Sequence, residues 1–547
     1  MGAVGRTSQA GRVLVALGLA VYVIEAFRYI FAMSVVDGEQ RWFLLWDDAM
    51  ISMQYAKNLA EGHGLVWNAG GEAVQGFTNL GVTLIMAVLH LLPVPLPLVP
   101  LLFQLFNLGI LIVILFAVFR IAGLLFGASP WVGYGSAVLV ALYGPLAIWG
   151  LQGADFNLLA CITLLSLERL ARARKEGRSP SPWIFAFLAL GIVVRLDFSI
   201  VYATVWMWCV VFAFPRRLLA VPGVLIGSGV WVVLVGFNLL YFGDPLPNTY
   251  YLKATGTPKA LMLERGFEQL VGMYQGLALA GLFLFGLYSF LLLRRDPYRL
   301  YALVLALILG QFAYMVWVGG DWVVAHTSRY LMVAMPLYIV LLVGGTWEFL
   351  QWLRKRWLLG PRLVNALFVL QLVLFVWCLN PGASIAEWIR QSAEPMYRTN
   401  NVDSVQFARA LCNFTTPDTK VGIFWAGVTP YLCEREYADL LGRADRHIAR
   451  KQVDSFRGPG HAKWDWDYVL REVRPDVIST TTPDLLEYDG FERDFCLARF
   501  PTASVVFPAR KASTSKLLDP ELQLCHPSVY PPCLPCSSGS PPTDPGA

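Results

Sequence analysis

Two adjacent carboxylates, Asp47 and Asp48, follow the apolar run WFLLW and open the segment AMISMQYAKNLAEG, where Ile51, Tyr55, Asn58 and Leu59 recur at helical spacing. One carboxylate at a helix start is a common cap, suited to free amides and the positive end of the helix dipole. Two in succession leave one to orient and the other to take a proton from a hydroxyl, which is general-base work. Further acids stand at apolar boundaries along the chain, at Asp155, Asp197, Asp244 and Asp321, with Arg195, Lys253, His326 and Arg329 as cations near the same boundaries. Arg grips an oxyanion with two parallel hydrogen bonds and Lys supplies a point charge, so the set suits an anionic group, a lipid phosphate being the natural candidate. The plainer reading is internal pairing of Arg195 with Asp197 and of Arg329 with Asp321. Glu25 and Arg28, about one helical turn apart, read as such a pair.

The elements that must position these groups are apolar. Of 547 residues, 56% are hydrophobic and 15% charged, where a soluble protein carries about 25% charge. That excludes a disordered chain, a collagen-like fibre and a disulfide-dense miniprotein. The net charge of +5 does not point to nucleic acid, because the 43 basic residues lie between apolar runs. A membrane-crossing helix needs about 20 apolar residues. Such runs begin at Val13, Leu101, Trp131, Phe156, Trp183, Phe198, Leu219, Val271, Tyr301, Leu331 and Leu363. The run from Leu80 to Leu92 is shorter and ends in PVPLPLVP. If it crosses, the basic clusters at 169–178, 216–217, 294–299 and 354–356 fall outside the cell; if it lies in the membrane surface, all fall inside, as the positive-inside rule asks.

The expected fold is therefore a polytopic α-helical membrane domain over 1–378, with about eleven transmembrane helices, interfacial helices in the first outer loop and a cytoplasmic amino terminus. Every acid named above then lies on the outer face, where ionisable groups at the lipid boundary are costly and are functional candidates by default. Residues 379–530 shift towards Asp, Glu, Arg, Thr and Pro; TKVGIF, YADLL, PDVIST and ASVVF read as strands and KWDWDYVLREVRPD as a helix stopped by Pro475. This predicts a small extracytoplasmic (periplasmic) α/β domain, followed by a flexible Pro/Ser-rich tail over 531–547. Six of the nine cysteines (Cys412, Cys433, Cys496, Cys525, Cys533, Cys536) fall in this outer part, with pairing unreadable from spacing. The Cys533–Cys536 CxxC lacks a strand-to-helix context, and no metal-ligand spacing, Walker loop or dinucleotide glycine loop is evident.

His63, Asn68, Gln75, Thr78, Asn79, Asp244, Asn248, Asp321 and Trp322 are candidates for sugar or acceptor contacts, and Trp46, Trp67 and Trp322 could stack on a sugar face. Trp at a membrane interface also serves simply as an anchor. His461 and Lys463 could touch a glycan, with plain surface exposure as the simpler reading.

Several motifs in fixed order carry a resemblance: WDDAMISMQYAKNLAEGHGLVWNAGGEAVQGFTNLGVTL from Trp46, LQGAD from Leu151, RLD from Arg195, YFGDPLPNTYYLK from Tyr241, VGGDW with SRYLMVAMPL from Val318, and AGVTPYLCEREYADLLGRADRHIAR with GHAKWDWDYVL further on. The chain resembles the bacterial GT-C glycosyltransferases, within them the group containing the terminal arabinofuranosyltransferase of mycobacterial cell walls. The resemblance implies an inverting, polyprenyl-phosphate-sugar-dependent transferase of the bacterial cytoplasmic membrane, acting on a cell-envelope glycan or glycolipid. It implies that the catalytic acid is Asp47 or Asp48, with donor phosphate on Arg195, Lys253, His326 and Arg329. That group's second acid sits in a Ser-Gly-apolar-Glu pattern; this chain has Gln152, Gly153, Ala154 and Asp155, which leaves the reach of the shorter Asp155 open. No nucleotide site is expected. Paired acids can hold a divalent cation, yet no complete ligand set is visible. The rival reading is a transporter or flippase for a lipid-linked sugar, which would call for internal repeats or helices broken near the bilayer midplane.

Overall fold

A computed structural model describes residues 9–127, 129–178, 180–212, 216–273, 299–321, 328–380, 398–453, 458–499 and 506–518. Trp322, His326, Cys525, Cys533, Cys536, the tail 531–547 and nearly all of the apolar run from Val271 to Leu293 lie outside them.

Among the described residues, five helices are long and apolar enough to cross a membrane: Val15–Met33, Leu96–Phe126, Val221–Phe242, Leu300–Trp317 and Pro361–Leu379. A sixth span arises if Pro130–Ala141 and Gly144–Leu151, bent by 52°, count as one. The expected unbroken helix at 131–149 is thus corrected. Pro145 stands in the first turn after the break, where its missing N–H costs nothing but where it cannot continue the preceding helix. Trp183–Val194 and Ser199–Phe212 are only 12 and 14 residues long. Phe156–Lys175 and Met335–Trp357 have the length of spans and end in basic residues, Arg172, Arg174 and Lys175 in the first and Arg354, Lys355 and Arg356 in the second.

The helix Val99–Phe126 is the hub of the bundle, packing on Pro130–Ala141, Gly144–Leu151, Phe156–Lys175 and Met335–Trp357. It starts behind the proline-rich PVPLPLVP with Pro100 in its first turn and stops at Gly127, whose φ of +82° ends the helical path. Glu25 and Arg28 pair at 2.8 Å. Leu80–His90 has 11 residues, too few to cross, and lies against Asp47–Ala60 with His90 hydrogen-bonded to Tyr431 at 3.0 Å.

Towards the carboxy terminus the chain forms a five-stranded mixed sheet. Its strands are β3 (Lys420–Ile423), β4 (Glu436–Asp439), β5 (Val477–Ile478), β6 (Phe495–Arg499) and β7 (Val506–Arg510), β1 and β2 being the short hairpin Val35–Asp37 and Gln40–Trp42. The order is β4-β3-β5-β7-β6, with β3 parallel to β4 and β5, and β7 antiparallel to β5 and β6. The amphipathic helix Arg398–Phe414 lies beside it, and Cys412 is disulfide-bonded to Cys433 with Cα atoms 5.7 Å apart.

The segment between the first helix and Leu80–His90 shares a core with this sheet. Ile51, Tyr55, Trp67 and Phe77 pack in one apolar cluster with Phe407, Val421, Tyr437 and Phe507, while Val428 and Tyr431 join the large membrane core. Burial of that many aromatics welds loop and sheet into one body, which fixes what lies between them.

Candidate active site

A cavity of ≈ 70 Å³, open on one side, lies where loop, sheet and helix ends meet. The helix Asp47–Ala60 brings Asp48 to it, with Trp46 extended before the first turn and no side-chain cap. The turn at Gly153 lets the second loop pass close beneath. Its φ is +91°, and a Cβ there would lie 2.8 Å from Leu45 and 2.9 Å from Ala49.

Asp48 is the carboxylate facing the cavity. Arg329 Nη1 donates to its Oδ2 at 3.2 Å and Arg443 Nε approaches its Oδ1 at 3.5 Å. Burial opposes ionisation of Asp48, but Arg443, Arg329 and Lys253 outweigh it and hold the acid well below the usual carboxylate range. Arg329 is itself anchored: its Nε and Nη2 bond Asp321 at 2.9 Å each, its amide bonds Asp321 at 3.0 Å, and its guanidinium lies 4.5 Å from the Trp46 ring and 5.2 Å from Trp149. Asp321, 2% exposed, supports Arg329 from behind.

Asp47 faces elsewhere. Its Oδ1 accepts the amides of Gly427 and Val428 at 3.0 and 3.2 Å, and its buried Oδ2 has no hydrogen-bond partner among the described residues. Burial pushes its carboxyl up to about 6, with Arg443 and the two amides opposing and Asp48 adding to the rise. The helix-cap expectation is corrected for both acids: Asp47 caps amides of the carboxy-terminal part rather than its own helix.

A second cluster lines the same cavity. Arg195 bonds both oxygens of Asp197, from Nε at 3.0 Å and Nη2 at 2.7 Å, and reaches Asp155 from Nη1 at 3.1 Å. The Tyr314 hydroxyl also donates to Asp197. Asp155 therefore sits in the cavity wall but is spoken for by Arg195. Lys253, in the last turn of Asn248–Ala254, lines the cavity with no hydrogen bond or ion pair to a described residue. Burial lowers its ammonium to about 8 with Arg329, Arg443 and Arg195 adding, while Asp48 pulls the other way.

The remaining sequence candidates sort by place. Thr78 and Asn79 line the cavity, the Asn79 carbonyl oxygen accepting from Ser52 at 2.8 Å. Gln75 and Asn248 lie behind it. The Gln75 carbonyl accepts the Asn248 amide at 3.0 Å, and the Asn248 carboxamide donates to the carbonyls of Gly442, Arg443 and Asp445 at 2.9–3.0 Å. Asn68 pairs with the backbone of Tyr437 along the outer edge of β4, Asp244 pairs with Arg450 and Arg446, and His63 is exposed; none of these three lines the cavity. The Trp67 indole donates to Ala426 within the shared core. Surface exposure of Lys463 is corrected: it is 1% exposed, its ammonium bonding the carbonyls of Tyr251 and Ala449. His461 is also drawn inward, its Nε2 lying 3.2 Å from Arg443 Nη2, and burial followed by Arg443 pushes the imidazole down to about 3.

Arg443 is the site residue that spacing did not single out. It follows Gly442, at φ +79°, in a turn where the Asp439 carboxylate accepts the amides of Leu441 and Ala444 at 2.9 and 2.7 Å. The Asp and Gly of ADLLGRAD signal the turn, and nothing in them says what the intervening Arg meets. Asp47 and Asp48 point apart, and no group of three or more metal-ligating side chains gathers among the described residues.

With this geometry in hand, known proteins can be compared. Residues 385–517 match a domain of unknown function, DUF8728. No curated protein matches the chain. Among solved structures, ArnT from Cupriavidus metallidurans bound to undecaprenyl phosphate is similar at TM-score 0.55 and 12% identity, over 91% of this chain and 97% of that one. Its apo state matches at 0.55 and 13%, over 92% and 98%. Archaeal oligosaccharyltransferase AglB from Archaeoglobus fulgidus, in complex with an inhibitory peptide and a dolichol-phosphate, matches at 0.52 and 11%, over 90% and 74%. The chain shares the overall fold of these structures. At these identities the likeness carries the architecture alone, and the chemistry rests on the cavity's own residues.

Proposed function

We propose that this GT-C protein is an inverting glycosyltransferase. It moves one sugar, arabinofuranose by its sequence resemblance, from a polyprenyl-phosphate donor to a cell-envelope glycan or glycolipid on the outer face of the bacterial cytoplasmic membrane. The observation that carries this reading is the cavity itself: one acid, Asp48, faces unsatisfied cationic groups where apolar helices give way to polar loops. The ArnT and AglB structures, with undecaprenyl phosphate and dolichol-phosphate named as their ligands, support a lipid phosphate as the anion.

The acceptor hydroxyl attacks the anomeric carbon from the face opposite the phosphate. The C1–O bond to phosphate breaks, its electron pair stays on the departing polyprenyl phosphate, and the hydroxyl proton goes to Asp48. Charge grows on the phosphate from one negative to two, and Lys253 and the arginines stabilise it there. One displacement inverts the centre. Asp155 and Arg195 also line the cavity, and Thr78 and Asn79 offer hydrogen bonds to a sugar.

The topology that goes with this reading has about eleven spans, an inner amino terminus and an outer carboxy-terminal domain over 379–530. Two facts support it. Phe156–Lys175 starts beside Asp155 at the cavity and ends in Arg172, Arg174 and Lys175, about 30 Å away along the helix, as positive-inside bias asks. The Cys412–Cys433 disulfide suits an oxidising compartment.

The 52° break after Ala141 favours the alternative of a transporter or flippase for a lipid-linked sugar. The test is transfer by the purified chain from polyprenyl-phosphate sugars, the product's linkage read by NMR. Transfer with inversion, abolished in Asp48→Asn, is expected. Movement of the lipid-linked sugar across proteoliposomes without any transfer would decide for the alternative.

A further inference from the structure

The resting site has a chemical defect as a glycosyltransferase: its base is held far below the range in which a carboxylate takes protons well. Two of the cations responsible differ in how firmly they are tied. Arg329 uses its amide, Nε and Nη2 on Asp321, so moving it would strand a carboxylate that is 2% exposed. Arg443 touches Asp48 through one long contact of 3.5 Å. Its side chain is 4% exposed, it lines the cavity, and its buried Nη1 has no hydrogen-bond partner among the described residues.

We infer that Arg443 changes partner in the reaction, holding Asp48 in the empty site and passing to the donor phosphate when the lipid binds, which frees Asp48 to act as base. The inference rests on the glycosyltransferase reading and names the device by which that site couples donor binding to acceptor activation.

The surroundings favour a movement confined to the guanidinium. The backbone of its turn is pinned by three hydrogen bonds from Asn248 and two to Asp439. Neutral His461, with Nδ1 3.4 Å from the Pro459 carbonyl, presents Nε2 as an acceptor to Arg443 Nη2 and orients the fork without competing for its charge. Lys253, with no hydrogen bond or ion pair to a described residue, lines the same cavity and is placed to give the phosphate a second contact. The groups whose charge bears on Asp48 are Asp47, Arg329, Arg443 and Lys253, with neutral His461 beside Arg443 and the Arg195–Asp155–Asp197 cluster on the same cavity. Once the phosphate has taken Arg443 and Lys253, Asp48 keeps only Arg329, which Asp321 already neutralises. The base then strengthens only when a donor is present. The proton it gains is the one lost by the acceptor hydroxyl, and the electron pair of the broken C1–O bond ends on the phosphate that Arg443 now holds.

The experiment uses the full chain in lipid nanodiscs with undecaprenyl phosphate as probe, so the identity of the sugar is not needed. Asp48→Asn releases Arg443 in advance and should tighten binding about tenfold, and Arg443→Gln should weaken it about tenfold, a factor that corresponds to one charge-assisted hydrogen bond. In Asp48→Asn with Arg443→Gln the tightening should vanish. Arg443→Lys keeps the charge but loses the fork, should recover part of the affinity, and serves in place of the Gln variant if that one does not fold. Equal tightening by Asp48→Asn in both backgrounds would mean that simple charge removal is at work and would overturn the switch alone. No binding by the wild-type chain would overturn the switch and the lipid-phosphate reading together.

Discussion

The two ionic clusters lining the cavity are built from the same residue types and end in opposite states. Around Arg195, the cation meets two carboxylates, Asp155 and Asp197, and the Tyr314 hydroxyl, so every strong donor is used. Around Asp48, three cations, Arg329, Arg443 and Lys253, face two acids, and Lys253 and Nη1 of Arg443 have no partner among the described residues. The first cluster is closed on itself, and the second is, on the proposed function, where the donor's anion binds. A buried charge is tolerable only when paired, so unspent cationic capacity beside a cavity marks where ligand charge belongs.

The sharpest way to break this contrast is to exchange the acids. Asp48→Asn should lower transfer about 10³-fold with little change in folding, as loss of a general base does, whereas Asp155→Asn should cost far less. Rates for both variants beside their thermal unfolding read this, and equal losses would erase the distinction between closed cluster and site. Arg195→Gln should act on stability first: two buried carboxylates lose their partner, at about 3 kcal/mol, measured by thermal unfolding in detergent. A fully stable variant would mean that Arg195 is not a structural tie.

Gly427→Ala probes the join between the halves. A Cβ there would lie 2.1 Å from the Asp47 carbonyl oxygen, so the turn must withdraw and carry the domain bearing Arg443 with it. About tenfold weaker donor binding is expected, and unchanged affinity would separate Arg443 from the cavity. The smallest effect belongs to Asp47→Asn. A carboxyl raised to about 6 stabilises the fold in its protonated form, so this contribution is whole below about pH 4 and is lost as pH rises through 6. The Asn variant should lose that slope, worth about 3 kcal/mol, and keep most of its transfer rate. A loss of activity as large as in Asp48→Asn would return Asp47 to the role of base.

Much of the membrane part was legible because its signals are local. Apolar length, a short run before a proline-rich stop and basic helix ends are properties of consecutive residues, and the paired Asp, Arg195, Lys253 and Arg329 stand out as charges at apolar borders. The break at Gly144 was not legible, since the composition of 131–149 stays apolar through the bend. Asp244, Asn68 and His63 have the chemistry of sugar contacts yet were drawn into domain packing or left outside, because a polar side chain near a site and one in it look alike along the chain. Three of the four expected strand segments coincide with β3, β4 and β5, while ASVVF lies mostly outside the described residues and only its last two residues open β7; β6 and the helix Arg398–Phe414 were not readable.

From residue order alone come the membrane class, the acid and cation rims and the adjacency of Asp47 and Asp48. Their division of labour came from folding: successive helical residues point about 100° apart, so which carboxylate met the Gly427 amides and which met the cavity depended on where the sheet docked. Arg443, nearly 400 positions away in the chain, enters the site for the same reason, since shared burial of aromatics between loop and sheet is a long-range contact that local spacing does not encode.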